Sequence, residues 1–165
     1  MSSSAWLAHD PDPTDAEVEP SPDRGPRSLA AAALTAPTGS PVRRLAAHAA
    51  LLGGAVAVAS SGLVHLYLWA DGYRNVDNIG PLFLAQGLAG LLLAVTLVAY
   101  PRTFTAGVAA IYLLASVTAL ALSATSGFLG FMDKLDAPWA TPALLVESAG
   151  AFLLILGGAL AFRRR

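Results

Sequence analysis

Four long apolar runs constrain this chain of 165 residues more than any other feature. They cover roughly residues 45–70, 81–100, 103–126 and 142–162, and Glu147 is the only charged residue inside them. A helix rises about 1.5 Å per residue, so a run of about 20 residues crosses the roughly 30 Å hydrocarbon core of a bilayer. The connections between the runs are short, which makes neighbouring helices run in opposite directions. The runs therefore predict an all-α fold, an antiparallel four-helix transmembrane bundle.

Composition narrows the function classes. The chain has 55% hydrophobic and only 13% charged residues, with a mean hydropathy of +0.59. This is the composition of a membrane protein, so we expect the lipid bilayer to be a partner of the chain. A net charge of −1 provides no basic field for nucleic acid. Cysteine is absent, and the sequence contains no Gly-rich phosphate loop, G-x-S-x-G elbow or H-E-x-x-H motif. We therefore assign no catalytic residue, and the sequence leaves any cofactor unknown.

Residues 1–42 differ from the rest of the chain. They contain seven of the eleven prolines and six acidic residues, against only two arginines. Such a segment has too little apolar surface to offset the entropy of ordering, so we predict a disordered, acidic, Pro-rich tail ahead of a transmembrane domain over 43–165. A docking role for this tail and a solvated leader without a partner both remain open.

The arginines predict the orientation in the membrane. Those at positions 43–44, 102 and 163–165 all lie on one side of a four-pass topology. The other side has only Arg74 and Lys134, which four aspartates outnumber. Because positive residues near span ends are retained in the cytoplasm, we expect a multi-pass plasma-membrane protein with both termini cytoplasmic.

A signal peptide is the competing interpretation of the first run. Residues 57–59 (AVA) follow an arginine pair and an apolar stretch, as a cleavage site does. The apolar run nevertheless continues to Trp69, a length that favours an uncleaved span.

The polar side chains inside the runs share a face and a depth. Each strongly polar residue lies on a stripe of small residues spaced three and four apart, as in the interior of a membrane bundle. Four of them lie three to five residues from the ends of the runs, which is roughly 5 to 8 Å below the outer boundary. We therefore predict an intramembrane polar cluster in the outer leaflet, formed by His65, Gln86, Ser123 and Glu147.

The chemistry of this cluster has three interpretations. It is a hydrogen-bonded clasp that fixes helix register, a proton or small-molecule site in which Glu147 is protonated or pairs with His65, or a metal, haem or quinone site. Haem is disfavoured because His48 and His65 lie about 25 Å apart along one helix. One histidine and one carboxylate are too few for a closed metal site, so we predict no metal.

Residues 65–69 (HLYLW), 72–74 (GYR) and 79–83 (IGPLF) resemble small four-helix integral membrane proteins of high-GC actinobacteria. The match covers about residues 60–95 and marks Tyr73 and Arg74 as outer-loop residues. The helix order is also loosely similar to the DoxX-like superfamily, some of whose members are subunits of membrane oxidoreductase complexes. The resemblance implies no defined activity. That nine of the ten basic residues are arginine also suits a high-GC genome.

Two functions of different class follow. Short loops leave almost no soluble domain for catalysis, which favours a non-enzymatic accessory or scaffold subunit of a membrane complex. The partner is then another membrane protein. The alternative is a transport or redox component that uses the polar cluster, and a homo-oligomer would supply it with duplicate ligands.

Overall fold

The protein, seen here in a computed structural model, is described at residue 36 and over residues 39–132 and 137–162, with only the backbone of Phe162. Four helices account for most of these residues: α1 Pro41–Asp71, α2 Ile79–Ala99, α3 Thr103–Thr125 and α4 Ala140–Phe162. A short 3-10 turn, Tyr73–Asn75, joins α1 to α2. Over the described ranges there is no strand, only an isolated bridge between Phe128 and Phe131.

All four helices are long and apolar enough to cross a membrane, with mean hydropathy between 1.7 and 2.2 over their most apolar windows. The all-α class and the number of long helices are therefore confirmed. The predicted tail falls almost wholly outside the described residues, as do Lys134 and the arginines at 163–165.

The helix starts differ slightly from the predicted ones, and capping explains the start of α1. Ser40 accepts a hydrogen bond from the Arg43 backbone N–H at 3.3 Å and Pro41 occupies the first turn, so α1 includes Pro41 and Val42, which the sequence assigns to the tail. Helices α2 and α4 each begin two residues before the proline at which we expected them to start. Both prolines still lie in a first turn, where a missing N–H costs no helical hydrogen bond.

Small residues allow the helices to approach closely. Helix α1 packs against α2 and α4, and α3 packs against α4, whereas α2 and α3 contact each other over a shorter stretch. At the α1–α2 contact a Cβ added to Gly62 would lie 2.9 Å from the carbonyl oxygen of Gly87. Large buried side chains fill the remaining interior, mainly Leu51, Val58, Leu97, Leu113 and Leu154.

Contacts between α1 and α4 run in opposite chain order. Arg43 contacts Leu160 near one end of the bundle, and Ser61 contacts Glu147 farther along. We call the first of these the Arg43 end and the opposite one the Trp139 end. Arg43 is only 4% exposed, and its Nε donates a hydrogen bond to the carbonyl oxygen of Leu160 at 3.3 Å. A cation there satisfies a terminal carbonyl of α4 and interacts favourably with the negative end of its helix dipole.

Candidate functional site

A buried carboxylate joins three of the helices. Oε1 of Glu147, on α4, accepts hydrogen bonds from the Oγ atoms of Ser61 on α1 at 2.6 Å and Ser116 on α3 at 2.7 Å. The three residues are 1%, 2% and 8% exposed, respectively. We call this group the serine clasp. These two short hydrogen bonds join three helices through one acceptor, so the clasp fixes the register of α1, α3 and α4 at one level.

The sequence of α4 explains why Glu147 faces inward. Gly150 and Ala151 follow it at spacings of three and four, and they form a small, buried strip on the same face. Leu145 and Phe152, on the opposite face, are each 65% exposed on the outside of the bundle. The large apolar residues thus lie on the outside of the bundle, and the carboxyl group faces hydroxyl groups of two neighbouring helices.

A cavity of about 250 Å³ lies between the serine clasp and the Trp139 end. All four helices and both connections at that end contribute to its walls. Its polar lining includes every residue of the predicted cluster: His65, Gln86, Ser123 and Glu147. The structure therefore places the four side chains around one space.

The four residues do not bond to one another. In the part of the chain that the structure describes, no hydrogen bond or ion pair joins any two of them, and Glu147 is bound to Ser61 and Ser116 instead. The ion pair of Glu147 with His65 that we considered is not formed. Ser123 is buried beside the cavity, but its hydroxyl makes no hydrogen bond to a described residue. Ser123 thus shares the cavity with the other three residues without a hydrogen bond to any of them.

The ring of His65 hydrogen-bonds to its own helix. Its Nδ1 lies 2.8 Å from the backbone oxygen of Ser61, one helical turn earlier, and because a carbonyl only accepts, Nδ1 is the donor. In a neutral imidazole Nε2 is then an acceptor. The ring also packs at 5.1 Å and 52° against the ring of Phe83.

The amide nitrogen of Gln86 has no partner among the described residues. Its Nε2 is buried and makes no hydrogen bond to any described group, although Gln86 lines the cavity. Its backbone oxygen is satisfied, since it accepts a hydrogen bond from the hydroxyl of Tyr112 at 2.9 Å. Gln86 therefore lines the cavity with a side chain whose Nε2 is buried and has no partner among the described residues.

Aromatic rings form the wall nearest the Trp139 end. Tyr73 stacks on Phe83 at 4.8 Å with an interplanar angle of 8°, and it meets Phe131 edge-on at 5.7 Å. Of the two predicted outer-loop residues, Tyr73 thus lines the cavity. Arg74 does not: its side chain is exposed, and its backbone oxygen packs so closely on Gly80 that a Cβ there would lie 2.6 Å away.

Two of the three clasp residues were missed as site residues. Ser61 and Ser116 both lie on the small-residue stripes that the sequence identifies, so the sequence predicts that they face inward. Their role was missed because we took depth from the ends of the apolar runs, and a glutamate side chain reaches along the helix. The useful signal is that Ser61 precedes His65 by four residues and Ser116 precedes Ser123 by seven, which puts each pair on one face.

His48, by contrast, stays outside the site. It is exposed near the Arg43 end, and its Nδ1 bonds the backbone oxygen of Arg44 at 2.7 Å. Within the described residues, no group of three or more His, Cys, Asp or Glu side chains is arranged to hold a metal ion.

Comparison of the chain with known protein families, with curated proteins and with solved structures finds no match. The site is therefore interpreted from its own chemistry, which is a closed carboxylate–hydroxyl group beside a cavity with one free amide donor.

Proposed function

We propose that this chain is a multi-pass protein of the plasma membrane, built as an antiparallel helix bundle with both termini in the cytoplasm. We propose further that it is a non-enzymatic accessory or scaffold subunit of a membrane complex, of the small actinobacterial four-helix type. Four helices of spanning length and the opposite order of contacts along α1 and α4 support the architecture. Arg43, Arg44 and Arg102 support the orientation.

The serine clasp is the observation that carries the accessory role. The one carboxylate inside the apolar runs has its Oε1 engaged by two hydroxyls from two other helices, and it acts as a packing element. Covalent catalysis requires a nucleophile and a base at a site where a substrate binds. The hydroxyls here instead face a carboxylate that is held in the interior of three packed helices. This geometry suits a rigid membrane scaffold.

The topology is tested by labelling the naturally Cys-free chain. Asn75→Cys and Arg102→Cys both introduce exposed thiols, one in each predicted compartment. A membrane-impermeant maleimide added outside intact cells should label position 75 and should reach position 102 only after lysis. The reverse pattern would overturn the orientation, and labelling of both positions in intact cells would overturn the antiparallel spans.

The accessory role is tested by the state of the native protein. After gentle detergent extraction it should migrate in a native gel together with a second membrane protein at fixed stoichiometry, identified by mass spectrometry. Glu147→Leu should weaken this association, because the helix register changes. Migration of the chain alone, or only as a homo-oligomer, contradicts the accessory role.

A transport or redox component is the second candidate, and the cavity is the observation that favours it. His65, Gln86 and Glu147 border a space of about 250 Å³. Ionisable side chains that border a cavity at membrane depth usually mark substrate and proton sites. Proteoliposomes with a trapped pH-sensitive dye test the proton-coupled form. Proton flux should exceed that of empty liposomes and be lost in Glu147→Gln, while Thr96→Val, away from the cavity, retains it. Flux equal to empty liposomes contradicts this form.

A further inference from the structure

The cavity has the size of a small organic molecule. Its volume is about 250 Å³, whereas an engineered apolar cavity of roughly 150 Å³ holds benzene. A ligand with one or two rings therefore fits. Most of the wall consists of apolar and aromatic side chains, among them Leu68, Leu82, Phe128, Phe131 and Trp139. An apolar wall with few polar groups is the composition of small-molecule sites.

The unmet donor of Gln86 indicates that a ligand would contribute a hydrogen-bond acceptor. Buried amide N–H groups are almost always hydrogen-bonded in folded proteins, since an unmet donor costs free energy. The Nε2 of Gln86 is buried and unmet among the described residues, and it belongs to a side chain that lines a cavity with room for a ligand. The missing partner is an acceptor, for which a carbonyl oxygen is the common neutral choice.

The charges around the cavity favour a neutral ligand. Its described lining includes no lysine or arginine, so an anion would have no counter-charge and would face the carboxyl group of Glu147. The stacked rings of Tyr73 and Phe83 provide a surface for a further ring, since aromatic pairs are favourable in stacked or edge-on geometry. A neutral ring compound also reaches such a cavity from the bilayer without carrying a charge through lipid.

We propose that this cavity binds a neutral, membrane-soluble ring compound whose carbonyl oxygen accepts a hydrogen bond from Nε2 of Gln86. The inference rests on the second candidate function and supplies its ligand class. Gln86 provides the directional contact, and the rings of Tyr73 and Phe83 provide the stacking surface.

A matched pair of probes isolates the carbonyl. 2-Acetylnaphthalene and 2-ethylnaphthalene have the same shape and differ in one oxygen. Equilibrium dialysis between nanodiscs that contain the full chain and empty nanodiscs measures the affinity of each. The ketone should bind about fivefold to tenfold more tightly, which is the range of one net hydrogen bond. Equal affinities would overturn the proposal.

Two variants of α2 test whether Gln86 is the donor responsible for the preference for the ketone. Gln86→Leu should abolish the preference for the ketone and keep the binding of 2-ethylnaphthalene. Thr96→Val is the matched control, because the Thr96 hydroxyl bonds its own helix at Leu92 and lies outside the cavity. It should leave the preference unchanged. A preference that survives Gln86→Leu contradicts the assignment.

Two variants of α3 locate the site. Ala119 lines the cavity, whereas Ala121 is exposed and does not line it. Ala119→Phe should abolish the binding of both naphthalenes, and Ala121→Phe should leave it intact. Loss in both variants, or in neither, contradicts the location.

An organic cation is the competing ligand, since a carboxylate and aromatic rings also suit one. Binding of benzyltrimethylammonium, a cation with one ring, that Glu147→Gln removes, with no binding of the ketone, would overturn the neutral class. The topology labelling and the flux assay do not depend on these probes. Failure of the ligand class is therefore distinguishable from failure of the proposed function.

Discussion

The half of the bundle toward the Arg43 end and the half toward the Trp139 end are packed differently. Toward the Arg43 end, small residues face large ones across the helix contacts, as where Gly54 meets Leu154 and Gly157 meets Leu51. Toward the Trp139 end the helices enclose a cavity, and aromatic rings from the connections form part of its wall. Glu147 belongs to both halves, because it closes the serine clasp and lines the cavity. The difference indicates that the closed half maintains the fold and the open half is available for binding.

Filling a close contact in the closed half should have the largest effect. Gly150→Val places a Cβ against Ala57 and 2.7 Å from Cδ1 of Leu113, neither of which has room to move in a packed core. We expect a loss of about 3 kcal/mol in the free energy of unfolding, measured by denaturant titration in mixed micelles. Gly107→Val is the control, since a Cβ there meets nothing within 4 Å. Equal losses in both variants would show that helix propensity, and not packing, is responsible.

Removing the carboxylate at the boundary should have the next largest effect. Glu147→Leu leaves the hydroxyls of Ser61 and Ser116 without their acceptor, which should cost about 2 kcal/mol. Glu147→Gln keeps a carbonyl oxygen in place of Oε1 and should cost much less. The same unfolding titration compares the two. A Leu variant as stable as the Gln variant would mean that the clasp contributes nothing to the closed half.

A change in the open half should have the opposite sign. Gln86→Leu removes a buried donor without a partner, and it should stabilise the ligand-free protein by about 1 kcal/mol. Thr96→Val, on the same helix, should leave the stability close to that of the parent chain. If Gln86→Leu destabilises the protein, the amide has a structural partner and the two halves differ less than we describe.

Single hydroxyls of the clasp should have the smallest effects. Ser61→Ala and Ser116→Ala each remove one hydrogen bond, which is worth about 0.6 kcal/mol inside membrane bundles. Ser123→Ala is the matched control because the Ser123 hydroxyl makes no hydrogen bond to a described residue. A loss at Ser123 equal to that at Ser61 would remove the distinction between clasp and cavity serines.

Periodicity and hydropathy were sufficient to predict the four long helices and the inward stripes, because both depend on spacing along one helix. The bonding pattern was not predictable in the same way. Which hydroxyl meets Glu147 depends on how far α1 and α3 are offset along α4, and close contacts such as that of Gly150 with Ala57 set this offset. Burial of Arg43 was likewise missed, since its partner is a backbone carbonyl that no side-chain pattern reveals.

The hydrogen bond from Arg43 to Leu160 has a mechanical consequence. It places the first turn of α1 beside the last turns of α4, so a pulling force applied to these two points acts across their seam and not along it. Under such a load the contacts open one after another, as in unzipping, beginning at Arg43 and reaching Ser61 and Glu147 only after several turns have separated. A single-molecule extension trace should therefore show a low, stepwise force along α1 and α4, with its highest step where the serine clasp gives way.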